Sequence, residues 1–212
     1  MNKHIIVADD HSMIRKGIKL LLMSRLHCKN VVEAESCGGL MHELKKGVCT
    51  HIILDVVLSD GTSLEIIPVI KKLYPEIKIM IFSMQPADIY HEAFKQYDIR
   101  YYLNKSASEE ETVKCISKFL NNEPGTIRLI ATANNNPFAL LAPRELEVLH
   151  YLLNGHATNN IAETLNLNNS TVSTFKKRIF EKTGTTNLAQ LYELSSIHNL
   201  AFYIKSNTPN QH

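Results

Sequence analysis

Between residues 4 and 120, five short apolar runs alternate with five amphipathic stretches of helical length, and this pattern constrains the fold more than any other feature. The runs are His4 to Ala8, Val31 to Ala34, His51 to Leu54, Ile77 to Phe82 and Arg100 to Leu103. The stretches that follow them are 12 to 25, 38 to 46, 63 to 73, 87 to 97 and 109 to 120. A strand that is apolar along its whole length must be covered on both faces, and a helix after every strand supplies the cover. The expectation is an α/β unit, a doubly wound five-stranded parallel sheet. Ser108 followed by Glu111 has the form of a capping box and marks the start of the last of these helices.

The pattern stops at Asn121. From there to Pro137 no regular period fits, and Asn, Pro and Gly dominate both ends of the segment, as in a linker between domains. Beyond it the strand signal is gone and four helical segments follow, at about 143 to 154, 158 to 165, 169 to 183 and 187 to 200. Pro143 suits a first helical position, while Gly155 and Gly184 end the first and third helices. Ala142, before Pro143, has no side-chain acceptor, so that helix lacks a capping bond typically worth ~1 kcal/mol. The expected layout is a domain over 1–121, a linker over 122–139, a small all-α four-helix domain over 140–205 and a tail over 206–212.

Net charge is +2, with 16 basic and 15 acidic groups in residues 1 to 121 and 6 and 5 in 138 to 212. The second half nevertheless concentrates Lys176, Lys177, Arg178 and Lys182 in seven residues opposed only by Glu181, a candidate anion-binding face that a solvated helix surface explains equally well. Cys28, Cys37, Cys49 and Cys115 have neither paired nor zinc-ligand spacing, and are read as free thiols in a reducing cytoplasm. No apolar run approaches a bilayer span, and Asp9 and Asp10 interrupt any signal peptide, so neither membrane insertion nor secretion is expected.

In an open parallel sheet, ligands bind beyond the carboxyl ends of the strands. Here those ends carry Asp9 and Asp10, Asp55, Ser83 and Lys105. Taken singly, each is explained by helix capping or a solvated loop. Together, three converging carboxylates call for a hard cation, and Mg2+ suits oxygen ligands. Such a cation next to Asp55 suits aspartyl-phosphate chemistry, with Lys105 as a point charge for phosphoryl oxygens and Ser83 as a hydroxyl donor.

Asp9-Asp10, Leu54-Asp55, Ser83 and Tyr102-Leu103-Asn104-Lys105, with 22 residues from Ser83 to Lys105, resemble the receiver domain of bacterial two-component response regulators, which has a flavodoxin-like fold. The resemblance covers 3 to 121. It implies that Asp55 is the phosphoacceptor, that Asp9, Asp10, Asp55 and the backbone carbonyl of Val57 hold Mg2+, and that Ser83 and Tyr102 form the switch pair. A phosphoryl dianion would draw the Ser83 hydroxyl toward it and let Tyr102 turn inward, reshaping the surface of the fourth helix, fifth strand and fifth helix. Two departures stand out: Ser59 replaces a frequent Pro, which is expected to loosen the loop without removing a ligand, and Tyr101 replaces a frequent Gly, so crowding around the switch is expected to differ. His11, beside the acidic residues, is read as a helix-start residue rather than a ligand.

Residues 158 to 183, turning at Asn166-Leu167-Asn168-Asn169, read as a helix-turn-helix with Ile161, Ala162, Leu165, Leu167, Val172 and Ile179 as its apolar core. Val172 and Ile179 face inward, which turns Ser170, Ser173, Thr174 and Lys177 outward toward a DNA major groove. Leu141 to Leu149, Gly155, Ile161-Ala162 and Ser170 to Thr174 look like the LuxR-type DNA-binding domain, so the whole chain resembles a NarL/FixJ-type response regulator. The resemblance implies base contacts from Ser173, Thr174 and Lys177, phosphate contacts from Thr158, Asn159, Thr171 and Lys176, and a homodimer paired through 187 to 200. Phe175, Ser173 and Asn159-Asn160 stand where charged or His side chains are frequent, so a shallow salt dependence of DNA binding is expected.

The expected function is transcription regulation on double-stranded DNA, controlled by phosphorylation of Asp55 by a partner histidine kinase, in the cytoplasm and without steady enzymatic turnover. The alternative is a constitutive dimeric DNA-binding regulator whose receiver is insensitive to phosphate. A phosphohydrolase of the haloacid-dehalogenase type needs a second Asp two residues after the nucleophile, where this chain has Val57.

Overall fold

A computed structural model of the chain describes residues 3–125 and 136–200. The chain divides into two compact units, Met1–Thr132 and Ala133–His212. Most of the expected linker (126–135), residues 201–205 and the expected tail (206–212) lie outside the described residues.

The first unit runs β1 (His4–Ala8), α1 (Ser12–Ser24), β2 (Asn30–Ala34), α2 (Cys37–Leu44), β3 (His51–Leu54), β4 (Val57–Leu58), β5 (Gly61–Thr62), α3 (Ser63–Leu73), β6 (Lys78–Ser83), α4 (Ala87–Lys95), β7 (Tyr101–Asn104) and α5 (Glu109–Leu120). Five of the strands form one parallel sheet in the order β2-β1-β3-β6-β7. The central strands are buried on both sides: Ile5 to Ala8, Ile52 to Leu54 and Met80 to Ile81 are at most 2% exposed. Alternate residues feed one core, in which Ile5, Val7, Ile53, Met80 and Phe82 meet Ile18 and Leu22 of α1 and Ile116 and Phe119 of α5. Ser108 accepts the Glu111 N–H at 3.2 Å, which is one half of the expected capping box.

One element is absent from the sequence reading: β4 and β5 pair antiparallel as a separate two-stranded hairpin directly after Asp55. Two residues per strand are too few to leave a period-2 signature.

The second unit opens on a 3-10 turn (Pro137–Leu140), also unforeseen, in which the Asn136 side chain accepts the Phe138 N–H at 3.2 Å and Phe138 is fully buried. Then come α6 (Pro143–Leu153), α7 (Thr158–Thr164), α8 (Asn169–Thr183) and α9 (Leu188–Ile197). Ala142 indeed makes no side-chain cap, but the Glu145 carboxylate reaches back to the Ala142 N–H at 2.8 Å. Gly155 (φ 76°) and Gly184 (φ 68°) take the left-handed conformation that ends a helix without a Cβ penalty. Asn166 (φ 53°) does the same between α7 and α8, with Leu167 N–H closing on the Ala162 carbonyl at 2.8 Å. Ile161, Val172, Ile179 and Leu191 are wholly buried, and Leu167 is half-buried.

Candidate functional site

The parallel sheet delivers β1, β3, β6 and β7 to one rim, and the polar residues singled out above lie there. Asp9 and Asp55 are 2% and 6% exposed, Ser83 is 1% exposed, and Asp10 and Lys105 are half-buried. Lys105 Nζ stands 2.5 Å from Asp55 Oδ2 and 2.6 Å from Asp9 Oδ2. Ser83 Oγ donates to Asp55 Oδ1 at 2.5 Å, and the Val56 N–H donates to the same oxygen at 2.6 Å. Asp55 therefore carries one ammonium, one hydroxyl and one amide donor.

Desolvation outweighs the Lys105 charge and raises the Asp55 pKa above the usual carboxylate range, with Asp9 adding to the rise. Burial alone would lower Lys105, but the Asp55 and Asp9 carboxylates overcome it and raise its pKa, so it stays a cation. Carboxylate oxygens of Asp9, Asp10 and Asp55, and a ring nitrogen of His11, lie within 4.8 Å of one another. The three carboxylates form an all-oxygen donor set that fits a hard divalent cation. His11 precedes α1 as its N-cap residue; its Nδ1 is 2.7 Å from Asp10 Oδ1 and its N–H donates to Asp9 Oδ1 at 2.8 Å.

Tyr102 is half-buried with its hydroxyl donating to the Gln85 carbonyl at 2.8 Å and its ring tilted against Phe94 at 6.3 Å. Burial, followed by the nearby Tyr90, pushes its phenol well above the ordinary value. Ser83 is thus bonded to the Asp55 carboxylate and the Tyr102 hydroxyl to the Gln85 carbonyl. The carboxylate and the Gln85 carbonyl give the two hydroxyls acceptors there. Gln85 acts through its backbone, so no sequence signal marks it.

Both departures have defined partners. Ser59 ties its loop to the turn after β2: its Oγ and N–H both donate to the Glu35 carbonyl, at 2.9 and 3.4 Å. Tyr101 faces away from Tyr102, as adjacent residues of a strand do. It packs edge-on against Phe119 at 5.3 Å, its hydroxyl donates to the Glu123 carbonyl, and a Cβ at Gly125 would strike its ring.

In the second unit, Ser170, Ser173, Thr174 and Lys177 are exposed together on α8, opposite buried Val172 and Ile179. Asn159 is exposed, and Thr158, Thr171 and Lys176 are half-buried at the flanks. The basic cluster is smaller than its sequence suggests. Lys182 Nζ is 2.6 Å from the buried Glu145 carboxylate and donates to the Leu140 carbonyl, so it ties α8 to the start of α6. Lys177 lies 3.8 Å from Glu181, and Lys176 sits over the Phe180 ring at 5.8 Å.

A sheet rim built around a doubly acidic strand end, ahead of a helix-turn-helix, defines the class, and comparison with known proteins agrees. Residues 5–117 match the response regulator receiver domain, and 139–195 match the bacterial regulatory proteins of the luxR family. The chain belongs to the NarL/FixJ-type response regulators, with a receiver domain and a LuxR-type DNA-binding domain. It is 27% identical to the response regulator GacA of Pseudomonas aeruginosa, over 92% of this chain and 96% of that protein. It is 28% identical to the response regulator UvrY of Escherichia coli K12, over 93% and 95%. Among solved structures it is similar to RcsB of Salmonella enterica serovar Typhimurium bound to promoter P1flhDC in the presence of phosphomimetic BeF3-, with a TM-score of 0.79, 28% identity and coverage of 92% of this chain and 100% of that one.

Proposed function

We propose that Asp55 accepts a phosphoryl group from a partner histidine kinase and that this controls how a homodimer of the chain occupies double-stranded promoter DNA in the cytoplasm. The observation that carries the reading is the set of donors on Asp55: Lys105 Nζ, Ser83 Oγ and the Val56 N–H. A carboxylate oxygen attacks phosphorus, the bond from phosphorus to the donor's leaving group breaks, and these groups are within reach of the phosphoryl oxygens afterwards. Asp9, Asp10, Asp55 and the Val57 carbonyl would hold Mg2+, which when bound supplies positive charge to the transferring phosphoryl group. Lys105 is held by Asp9 as well as Asp55, which fixes its ammonium at the reacting oxygen. The chain transfers the group to itself once and does not turn over a substrate.

The output is read as a population shift, supported by the Ser83 bond to Asp55 and the Tyr102 bond to the Gln85 carbonyl. A phosphoryl group on Asp55 deepens the basin in which both are drawn inward. For DNA, Ser173, Thr174 and Lys177 meet base edges, Ser170 lies beside them, and Thr158, Asn159, Thr171 and Lys176 orient on phosphates. Ile197, 68% exposed on α9, is an apolar contact for a second copy. Among the described residues no helix is long and apolar enough to cross a membrane.

A second reading is favoured by the same switch geometry: if the inward arrangement dominates without phosphate, DNA binding is constitutive. Sedimentation and promoter binding of wild type and Asp55→Asn, with Mg2+ and with or without beryllofluoride, separate the two. A change in wild type alone supports phosphorylation control; identical behaviour of both proteins with the site demonstrably occupied supports the constitutive regulator.

A further inference from the structure

The hairpin β4–β5 carries Val57, whose carbonyl the proposed function assigns to the cation, yet it has only two residues on each side and lies outside the main sheet. A ladder that short does not hold its own position in water. Its base is secured on the α3 side, where Glu65 Oε1 accepts the Thr62 N–H at 3.1 Å and the Thr62 hydroxyl at 2.8 Å. Its tip is secured on the other side. Asp60 places one carboxylate oxygen 2.5 Å from the Cys37 N–H and the other 3.0 Å from the Gly38 N–H, the first two amides of α2. Ser59 gives both its N–H and its hydroxyl to the Glu35 carbonyl. The α2 backbone comes close enough that a Cβ on Gly38 would stand 3.4 Å from Asp60 Oδ2.

We propose that Ser59 and Asp60 are positioning residues for the cation site: by fastening the hairpin tip to the β2–α2 turn, they fix the Val57 carbonyl relative to Asp9, Asp10 and Asp55. The inference rests on the cation reading above. Mg2+ accepts only near-octahedral geometry at short distances, so a ligand carbonyl on an untethered hairpin lowers affinity even when every first ligand is intact. Asp60 serves two amides with two oxygens; an Asn presents an NH2 to one of them, so Asp60→Asn breaks one tie at nearly constant shape. That variant also removes a charge. Ser59→Ala, which deletes only the hydroxyl bond, has no such effect on the local field.

The test is titration of the full chain with MgCl2, followed through the backbone amide resonances of Asp10, Asp55 and Val57, for wild type, Asp60→Asn and Ser59→Ala. The cation-free melting temperature of each is measured beside it. The expected result is a rise in the Mg2+ dissociation constant of about tenfold for Asp60→Asn, the scale of lost outer-shell contacts, and a smaller rise for Ser59→Ala. Dissociation constants within about twofold of wild type, with only the melting temperatures lowered, reduce the two residues to structural ties and overturn the inference alone. A wild type that shows no saturable Mg2+ binding overturns the cation reading and this inference with it.

Discussion

Replacing Lys182 by Met separates a structural lysine from a DNA-binding one on the same helix. In the folded chain Lys182 Nζ lies 2.6 Å from Glu145 Oε2, and the Glu145 side chain is 3% exposed against 37% for Lys182. The same Glu145 oxygen also accepts the Ala142 N–H, so the carboxylate cannot leave without undoing the start of α6. Removing one partner of a fully buried pair costs about 3–5 kcal/mol. Because more than a third of the lysine side chain reaches solvent, screening reduces this to about 1–2 kcal/mol, while Met keeps the packing of the aliphatic stem. For a unit of this size that corresponds to a fall in melting temperature of about 5–15 °C. Circular dichroism of the full chain against temperature measures it, and the slope of log K against log salt for promoter binding is measured in parallel. The expected outcome is a lower melting temperature with an unchanged slope, whereas Lys177→Ala does the reverse and flattens the slope by about 0.9. A Lys182→Met protein with unaltered melting and a flattened slope would make Lys182 a phosphate contact and refute the reasoning.

Two further outcomes follow from single residues. His150 is 9% exposed in α6, where burial first and then the nearby His156 lower its pKa to about 4 from 6.5. The unfolded chain therefore binds the extra proton between those values, so stability is complete above about pH 6.5 and falls as pH drops toward 4, with about 2 kcal/mol lost by pH 5. Urea denaturation at pH 7.5 and pH 5 checks this; His150→Leu removes that component, leaving the part due to His51, which burial first and then Lys3 and Lys78 shift the same way. An identical pH dependence in His150→Leu contradicts it. Tyr101→Phe deletes the hydroxyl bond to the Glu123 carbonyl but keeps the edge contact with Phe119, costing about 0.5–1.5 kcal/mol. Faster proteolysis and amide exchange at 121–125, with phosphoryl uptake unchanged, is the expected signature; unchanged exchange there rules the tie out.

The main sheet was legible because its central strands are almost wholly apolar, which burial on both faces explains. The acidic rim was legible because topology alone decides where strand ends go: Asp9, Asp55, Ser83 and Lys105 are far apart in sequence but share one edge of a parallel sheet. The outward face of α8 followed from the seven-residue spacing of Val172 and Ile179. Apart from the β4–β5 hairpin, too short to leave a periodic signature, what escaped the sequence has partners that are backbone atoms or distant side chains. Ser59 looked like a loosened Pro until the Glu35 carbonyl came beside it. Lys182 looked like one of a basic cluster because Glu145 is 37 residues away. Tyr101 stood only for altered crowding near Tyr102, because its partners, Phe119 and the Glu123 carbonyl, are 18 and 22 residues away.

The central claim is that Asp55 is chemically modified and that its modification is read at DNA. The most direct test is intact-mass and peptide analysis of the full chain after exposure to a small-molecule phosphodonor with Mg2+, for wild type, Asp55→Asn and Lys105→Met, with promoter binding measured on the same samples. The account expects one phosphoryl group on the peptide containing Asp55, none on Asp55→Asn, slower uptake in Lys105→Met, and a change in promoter occupancy that tracks the modified fraction. A phosphoryl group on another residue, or full modification of Asp55 with promoter occupancy unmoved, would contradict it.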